Sequence, residues 1–348
     1  MQRSMPAAVL GTQTVLPIEE QSQVADARRR ATRLAASHGF DAAAAGNVGL
    51  AVTEAATNIL KHAERGRLVL GLMEEPRGVG VEVIAVDNGP GMGNVIDSMR
   101  DGHSTAGSMG TGLGALARAA TELEVYSAPN RGTVLRMEFW PPQISRRDEF
   151  ELGVICLPRS GEEVSGDAWS VRTHAGRQVV LVTDGLGHGP DAAKAARVAI
   201  SVLEKHADLG PAVLLERMHK ALASTRGAAV AVAALDAEHE TGVYAGVGNI
   251  GAAVLNGNDR IRHLVSSNGI VGHRLASVRE VPFDLPRGGL LVLHSDGIGT
   301  HWDLAAYPGL VTRHPALVAG VLWRDFERGR DDVTVVAFRY RVAREKAS

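Results

Sequence analysis

Val79-Gly-Val-Glu-Val-Ile-Ala-Val-Asp-Asn-Gly-Pro-Gly-Met92 is the segment that best indicates how the first part of this chain folds. Its alternating apolar residues predict a strand that ends at Asp87, and the glycines that follow, Gly89 and Gly91, predict a turn. A carboxylate at the end of a buried strand can accept a hydrogen bond from the exocyclic amine of a purine. An Asx turn would account for the same aspartate without any ligand.

Two further blocks flank this stretch. Upstream, Thr53-Glu-Ala-Ala-Thr-Asn-Ile-Leu-Lys-His-Ala63 places Glu54, Asn58 and Lys61 at helical spacing, opposite an apolar face. A helix with a merely solvated polar face would show the same pattern. Downstream, Gly110-Thr-Gly-Leu-Gly114 is a weak signal by itself, because a tight turn into a helix needs glycine with or without a phosphate.

In this order the three blocks resemble the N, G1 and G2 boxes of the GHKL ATPase superfamily, over about residues 10 to 140. The resemblance implies an N-terminal ATP-binding α/β sandwich of the Bergerat type. It also implies that Asn58 holds Mg²⁺ between the nucleotide phosphates, that Asp87 binds the adenine amine, and that Gly89 and Gly91 let the backbone approach the base. The other implied nucleotide contacts are Gly110, Gly112 and Gly114 at a helix start, and more weakly Lys61 and Thr133.

Glu54 suggests chemistry beyond binding. A carboxylate one helical turn before the Mg²⁺ ligand lies near the γ-phosphate, where it could take a proton from an attacking hydroxyl. In the family the attacker is water in gyrase-like members and a protein hydroxyl in the small serine kinases related to RsbT and SpoIIAB. A histidine kinase would need an upstream phosphoacceptor histidine, and the preceding helix offers only His38, at its end. The histidine kinase branch is therefore not expected, and the closest resemblance is to the RsbT-like serine/threonine kinases and anti-sigma factors.

The segment from Met92 to Met109 lies where a nucleotide lid would be expected. It is too short to resemble the long lids of the gyrase and Hsp90 branches. We expect it to become ordered when a nucleotide binds.

Aspartates at the ends of apolar segments mark the second half of the chain. Carboxylates that converge from distant sequence can hold hard cations, because Mg²⁺ and Mn²⁺ prefer oxygen ligands. Each aspartate alone could simply form a turn. The segments are SGDAW with Asp167, VLVTDGLGHG with Asp184, LVLHSDGIG with Asp296, and GRDDVTVVAF with Asp331 and Asp332.

These motifs resemble the SpoIIE and RsbX branch of the type 2C metal-dependent serine/threonine phosphatases, over about residues 150 to 340. The resemblance implies an αββα sandwich, so that the whole chain is of the α+β class. It implies that Asp184 bridges two metals and that the carbonyl of Gly185 adds a ligand. The shells would be completed, directly or through water, by Asp167, Asp296 and Asp331, and the role of Asp332 is left open. Two such cations activate water for in-line attack.

Other reactive side chains have two possible roles each. Cys156 lies in the strand-like LGVICL, where a buried core thiol is expected, which argues against a cysteine-dependent phosphatase. His188 and His294 lie beside acidic turns and could contact substrate phosphate or make structural hydrogen bonds. Asn249 could contact substrate or mark a strand bulge.

Composition limits the remaining possibilities. A chain of 348 residues that is 45% hydrophobic is long enough for two globular domains. We expect an ATP-binding and kinase domain at 1–140, a linker at 141–150 and a phosphatase domain at 151–348. A net charge of -2 gives no electrostatic case for nucleic acid or for an acidic membrane surface. One cysteine, no secretion signal and no apolar span predict a cytoplasmic protein, whose oligomeric state is left open.

Coarse secondary structure follows from the same patterns. The first domain is expected to have a strand at 8–16, helices at 17–38 and up to 63, strands at 67–74 and 79–87, a helix at 112–122 and two closing strands, with the helices on one face of a mixed sheet. In the second domain we expect strands near 152 and at 168–173, 178–183, 228–235, 241–245, 290–294 and 332–340, with helices at 191–206, 211–223 and 316–327.

We interpret the chain as a bifunctional bacterial regulator, an ATP-dependent serine/threonine kinase fused to a metal-dependent phosphatase. The resemblance implies a partner with a STAS domain in a partner-switching or stressosome pathway, with ATP, Mg²⁺ and Mn²⁺ as cofactors. The alternative is an ATP-sensing or anti-sigma-like binding module coupled to an active phosphatase. Glu54 argues against it, because a passive sensor does not need a carboxylate at that place. A scaffold with two inactive sites would require every acidic motif to be a relic.

Overall fold

The computed structural model describes most of the chain, and the chain divides into two compact units. The described residues are 5–6, 9–10, 13–75, 78–95, 112–141, 150–256, 261–275 and 277–341. The N-terminal unit comprises Leu10–Arg146 and Ala306–Arg324, and the C-terminal unit comprises Met1–Val9, Arg147–Ala305 and Asp325–Ser348.

Helices and strands are numbered in chain order. Up to the predicted linker they are β1 (Met5–Pro6), β2 (Val9–Leu10), β3 (Thr14–Ile18), α1 (Gln21–Ser37), α2 (Ala42–Ala63), β4 (Gly66–Glu75), β5 (Gly78–Asp87), α3 (Gly112–Ala119), β6 (Glu122–Ser127) and β7 (Thr133–Phe139). After it come β8 (Phe150–Leu157), β9 (Asp167–His174), β10 (Arg177–Gly185), α4 (Pro190–His206), α5 (Pro211–Ala221), β11 (Ala228–Asp236), β12 (Thr241–Val247), β13 (Gly251–Leu255), β14 (Ile261–His263), β15 (Gly269–Ile270), β16 (Arg274–Leu275), β17 (Val281–Asp284), β18 (Leu290–His294), α6 (Pro315–Phe326) and β19 (Val333–Tyr340).

The N-terminal unit is built on one sheet with the strand order β2-β4-β5-β7-β6, and β3 also pairs with β4. The described strand pairs β3–β4, β4–β5, β5–β7 and β6–β7 are all antiparallel. The central strand β5 is buried from residue 80 to residue 86, and Asp87 at its end is half-buried. The register places Asp87 opposite Thr133.

Helices α1 and α2 pack against each other and against one face of this sheet. The side chain of Asp41 caps α2 by accepting a hydrogen bond of 2.8 Å from the amide of Ala44. Val52 and Ile59 of α2 are buried in the core. The helical period therefore leaves Glu54 and Asn58 outside the core, on the side of α2 that contacts α3.

Helix α6, up to Arg324, also belongs to the N-terminal unit, although it lies between β18 and β19 in sequence. Every residue from Pro315 to Arg324 is buried. A Cβ atom at Gly320 would lie 2.7 Å from Cγ1 of Val134, and the side chain of Ile84 is next. Core residues such as Val83 alternate with these along the strands, so α6 covers the sheet face opposite to α1 and α2.

The C-terminal unit contains two larger sheets that face each other. Their strand orders are β1-β9-β10-β11-β12-β17 and β14-β13-β18-β19-β8. Buried Tyr340 of the second sheet donates a hydrogen bond to Gln178 of the first, which joins the two inner faces. Helices α4 and α5 pack on the six-stranded sheet and enclose an apolar core that includes Leu181, Leu203 and Leu214. Among the described residues no helix is long and apolar enough to cross a membrane.

The predicted fold class is confirmed, with corrections to several elements. The first helix begins at Gln21 rather than at 17, because Pro17 and Ile18 pair with β4 and Glu20 and Gln23 form a capping box. The helix predicted at 112–122 ends at Ala119. The predicted first strand is divided into β2 and β3. The pairs β3–β4, β4–β5, β5–β7 and β6–β7 are antiparallel, and the mixed character of the sheet stays a prediction. Strands β13 to β17 were not predicted, because all of them are short; β13 is also rich in small residues, and β17 contains proline.

The domain bounds 1–140, 141–150 and 151–348 stay a prediction. The compact units add two features that the sequence did not indicate: residues 1–9 belong to the C-terminal unit, and residues 306–324 to the N-terminal unit. The helix predicted at 316–327 is found at Pro315–Phe326, and its residues up to Arg324 belong to the N-terminal unit. Residues 142–149 of the predicted linker, 96–109 of the predicted lid and Gly110 lie outside the described residues.

Candidate nucleotide and metal sites

The polar face of α2 lies beside the start of α3. A Cβ atom at Gly112 would lie 3.7 Å from Oε1 of Glu54 and 3.9 Å from Nδ2 of Asn58. The missing side chain at Gly112 thus leaves space next to a carboxylate and an amide, both half-buried. Backbone amides at the start of a helix suit phosphate oxygens. The fold brings together residues that the sequence placed in separate blocks.

Asp87, the residue expected to bind adenine, is held at the end of β5 by backbone amides. Its Oδ1 accepts hydrogen bonds of 2.9 Å from the amide of Gly89 and 3.2 Å from the amide of Thr133. No described residue donates to Oδ2, so this oxygen can accept a hydrogen bond from an adenine amine. Burial raises the pKa of Asp87, and the two amide hydrogen bonds oppose that shift.

The turn after Asp87 requires glycine. Gly91 has a φ of +70°, and a Cβ there would overlap the carbonyl oxygen of Ala128. A Cβ at Gly89 would lie 2.7 Å from the Cβ of Ala63, so the turn packs directly on the end of α2. The fold thereby fixes Asp87 relative to α2, which carries Glu54 and Asn58.

The weaker nucleotide candidates differ in their surroundings. Thr133 holds Asp87 through its backbone amide, while its hydroxyl lies 3.1 Å from that of Ser127. Gly114 is buried within α3, and Lys61 is exposed near the end of α2. Their predicted contacts with nucleotide stay predictions.

Arg324 is a residue of this site that no sequence pattern indicated. Its Nη1 donates a hydrogen bond of 3.1 Å to the backbone carbonyl of Asp87. The two residues are 237 positions apart, and Arg324 lies in none of the motifs. Only the position of α6 in the N-terminal unit brings them together.

The predicted acidic residues meet at one end of the two large sheets. Asp184 and Asp167 are directly opposite each other on β10 and β9. Asp184, Asp296 and Asp331 line a pocket of about 470 Å³. Asn249 also lines it and donates a hydrogen bond of 2.7 Å to Oδ2 of Asp296. The fold thus collects carboxylates from four separate segments of the chain.

Burial and repulsion between neighbouring carboxylates raise the pKa values of aspartates in this cluster. Burial, and then the charges of Asp167, Asp296 and Asp331, raise the pKa of Asp184 to about 9. Burial likewise raises the pKa of Asp167 to about 7, against a hydrogen bond from Ser295 that lowers it. Among the described residues Oδ2 of Asp167 has no hydrogen-bond partner. Such a cluster favours cations that offset its charge.

The donor set fits hard divalent cations, with water as an additional ligand. No three His, Cys, Asp or Glu side chains in the described ranges form a group that could hold one metal ion. Mg²⁺ commonly binds through one or two carboxylates and keeps several waters. Gly185 is fixed in the cluster: its amide donates to the carbonyl of Gly166 at 3.1 Å, and a Cβ there would overlap the carbonyl oxygen of Ala192.

Asp332, whose role the motifs leave open, is held by the backbone. Its Oδ1 accepts from the amide of Arg159 and its Oδ2 from the amide of Gly166, both at 2.7 Å. The residue is 2% exposed, whereas neighbouring Asp331 is exposed and lines the pocket. Asp332 therefore holds the loop before β9, and Asp331 is the residue available to a cation.

Replacing Asp332 with alanine is expected to destabilise the C-terminal unit by about 2 kcal/mol, because two amides lose their acceptor and one of them is buried. Urea unfolding in excess EDTA measures this without any contribution from bound metal. Asp331→Ala is the matched control and should cost clearly less. Equal losses for the two variants would contradict the structural role of Asp332.

The remaining sequence candidates have structural partners. His294 is buried, with Nδ1 hydrogen-bonded to the carbonyl of Ser295 and Nε2 accepting from Trp302 at 3.0 Å. His188 lies 2.6 Å from a carboxylate oxygen of Glu162. No histidine is among the described residues that line the pocket. Burial raises the pKa of the Cys156 thiol to about 12, which agrees with a structural role.

Comparison with known proteins matches each of the two parts of the chain to a protein family. Residues 18–139 match the model of the histidine kinase-like ATPase domain, and residues 174–341 match that of stage II sporulation protein E (SpoIIE). The chain joins a histidine kinase-like ATPase domain to a SpoIIE-type phosphatase domain. The GHKL and type 2C resemblances inferred from the motifs are thereby confirmed.

Two curated relatives correspond to the two parts. The serine/threonine-protein kinase RsbT of Bacillus subtilis (strain 168) is 28% identical over 131 residues, which are 38% of this chain and 98% of RsbT. The phosphoserine phosphatase RsbX of the same organism is 20% identical over 156 residues, which are 45% of this chain and 78% of RsbX.

Solved structures agree with these assignments. One solved structure comes from work on the bacterial stressosome as a modular system that has been adapted to control secondary messenger signaling. It is 31% identical, the match spans 55% of this chain and 100% of that structure's chain, and the TM-score is 0.51. RsbX in complex with magnesium is 18% identical, covers 57% of this chain and 98% of its own, and has a TM-score of 0.50. At 18% identity, the similarity to the RsbX structure shows the fold alone.

Proposed function

We propose that this protein both phosphorylates and dephosphorylates a serine or threonine of a partner protein. The N-terminal unit would act as an ATP-dependent kinase and the C-terminal unit as a Mg²⁺- or Mn²⁺-dependent phosphatase. The observation that carries the proposal is the presence of two sets of polar side chains in one chain. One set surrounds Glu54 and Asn58, and the other surrounds Asp184.

The kinase half of the proposal depends on Glu54. Asn58 and the start of α3 at Gly112 offer ligands for Mg²⁺ and phosphate, and Asp87 offers an acceptor for adenine. These groups would account for ATP binding. The carboxylate of Glu54, on the same helical face one turn before Asn58, would take the proton of an attacking hydroxyl. We therefore favour a kinase over a nucleotide-sensing module.

The phosphatase half depends on the acidic cluster. Bound Mg²⁺ or Mn²⁺ would supply an activated water and neutralise phosphate oxygens. The residues that would hold the cations are Asp184, Gly185, Asp296 and Asp331, with Asp167 behind them. Asn249 orients Asp296 by its hydrogen bond of 2.7 Å. This assignment is supported by the raised pKa of Asp184 and by the Asp167 oxygen that lacks a partner among the described residues.

The partner is proposed to carry a STAS domain. Support comes from likeness to RsbT and RsbX, and from a similar structure described under the bacterial stressosome. A kinase and a phosphatase in one chain could set the phosphorylation level of one partner, as a partner switch requires. We propose that the protein acts in the cytoplasm.

Radiolabel transfer tests the proposed function. The full chain is incubated with γ-labelled ATP, Mg²⁺ and each STAS-domain protein encoded nearby. An Asp184→Asn chain is assayed in parallel, so that removal of the label by the phosphatase does not mask its transfer. Label on a serine or threonine of one of these proteins is the expected result. Binding of ATP without transfer to any STAS protein would favour the nucleotide-sensing alternative.

A further inference from the structure

Helix α6 carries a residue into the candidate nucleotide site from the far end of the chain. Within the N-terminal unit, Arg324 is 8% exposed and donates a hydrogen bond of 3.1 Å to the carbonyl of Asp87. Its guanidinium lies 3.0 Å from where a Cβ at Gly132 would be. The cation is therefore packed against the end of β5 at Asp87 and the turn at Gly132. Its hydrogen bond is to the backbone of Asp87 and not to the carboxylate.

The rest of α6 is held firmly in the same unit. The guanidinium of Arg67 stacks on the ring of Trp323, with 3.7 Å between its central carbon and the ring centroid. Gly320 allows close packing of α6 on Val134 of β7. Any rearrangement of the Asp87 turn that moves Arg324 must therefore move or strain a well-packed helix.

The chain that directly follows Arg324 is bound to the Asp296 turn. Within the C-terminal unit, the carbonyl of Phe326 accepts a hydrogen bond of 2.8 Å from the amide of Gly299, and the amide of Arg328 donates one of 2.8 Å to the carbonyl of Gly297. Both glycines closely follow Asp296, which lines the acidic pocket. Only one residue separates Arg324 from Phe326.

We propose that Arg324 is a positioning residue of the nucleotide site, and that nucleotide bound at Asp87 is coupled through the end of α6 to the Asp296 turn of the phosphatase. The inference deepens and rests on the proposed ATP site. A nucleotide that fixes the Asp87 turn also fixes Arg324, and the hydrogen bonds of Phe326 and Arg328 carry that restraint to the turn after Asp296. Coupling of this kind acts in both directions by thermodynamic necessity.

The first test measures binding of the non-hydrolysable analogue AMP-PNP with Mg²⁺ to the full chain by calorimetry. Arg324→Ala should weaken binding about tenfold, the scale of a lost hydrogen bond from a charged donor. Arg67→Ala is the matched control: it also removes an arginine that contacts α6, but at the ring of Trp323 rather than through the carbonyl of Asp87, and its affinity should stay within about twofold of wild type. Equal losses in both variants, or no loss in Arg324→Ala, would overturn the positioning role.

The second test needs no phosphatase activity. Hydrogen exchange is followed at the amides of Gly297 to Gly299 in the full chain, with and without AMP-PNP. We expect the nucleotide to slow exchange there in wild type and in Arg67→Ala, and to have no effect in Arg324→Ala. Identical exchange with and without nucleotide in wild type would overturn the coupling. A wild-type chain that binds no AMP-PNP would instead refute the proposed ATP site, and this inference with it.

Discussion

Replacing Asp184 with asparagine is expected to abolish phosphatase activity and, at the same time, to stabilise the metal-free protein. Activity should fall by about a hundredfold or more, because Asp184 is the carboxylate proposed to serve both cations, and these supply several kcal/mol of transition-state stabilisation. Peripheral changes such as Asp331→Asn should reduce activity less. A folded and inactive variant would separate loss of chemistry from loss of structure.

The gain in stability follows from the sign of the pKa shift. Burial and neighbouring carboxylates raise the pKa of Asp184 from 3.8 to about 9. In the metal-free fold the ionised form of Asp184 is disfavoured. Asp184 therefore does not reduce the stability of this fold below about pH 4, and that stability is lost progressively as the pH rises toward 9. Asparagine carries no charge, and the gain of Asp184→Asn should therefore be largest at alkaline pH.

Turnover of a phosphoserine peptide after EDTA treatment and Mn²⁺ add-back measures the first effect, and thermal unfolding in EDTA at several pH values measures the second. Asp208→Asn, which removes an exposed carboxylate from the turn after α4, is the matched control and should change neither. Full activity in excess EDTA, or an Asp184→Asn protein as active as wild type, would refute the metal mechanism.

Replacing Glu54 with glutamine is expected to remove phosphoryl transfer while leaving ATP bound. A general base contributes about a hundredfold to ten-thousandfold in rate, and glutamine cannot take the proton. The amide still fills the space beside Gly112, and the adenine contact proposed for Asp87 is untouched. The expected result is therefore a change in the transfer rate without a comparable change in nucleotide affinity.

Single-turnover transfer from labelled ATP gives the rate, and calorimetry with AMP-PNP gives the affinity. Glu74→Gln makes the same chemical change at an exposed position on β4 and should behave as wild type. Asp87→Asn should show the opposite pattern, with weakened binding as its first effect. Transfer by Glu54→Gln at the wild-type rate would disprove the base assignment and favour a different proton acceptor.

Local signals in the sequence were sufficient to predict both folds and to name candidate residues whose functional roles stay predictions. The GHKL and type 2C motifs each combine a strand end, a turn and a defined polar residue, and such motifs can be interpreted without knowledge of long-range contacts. The helical spacing of Glu54 and Asn58 predicted one polar face, and α2 presents it. The strand-end aspartates predicted a shared acidic site, and Asp184, Asp296 and Asp331 share a pocket.

Features that depend on tertiary packing could not be predicted from local patterns in the sequence. Asp331 and Asp332 are adjacent in sequence, and only the fold shows that Asp332 is occupied by two backbone amides. Helix α6 is apolar on all sides, which predicts burial but not the surface that buries it. Arg324 and Asp87 are 237 residues apart, and no local pattern connects them. The sequence also left the role of His294 open, and only the fold shows that its ring accepts a hydrogen bond from Trp302.

The phosphorylation state of one STAS-domain protein exposed to both activities is the most direct measure of the proposed bifunctional switch. The Asp184→Asn chain with ATP and Mg²⁺ should convert the partner to its phosphorylated form, as followed by intact mass, and the Glu54→Gln chain should not. The purified phosphoprotein should then lose its phosphate to the wild-type or Glu54→Gln chain when Mn²⁺ is present and ATP is absent. A partner that is phosphorylated but never dephosphorylated by the same chain, or the reverse, would contradict a bifunctional switch.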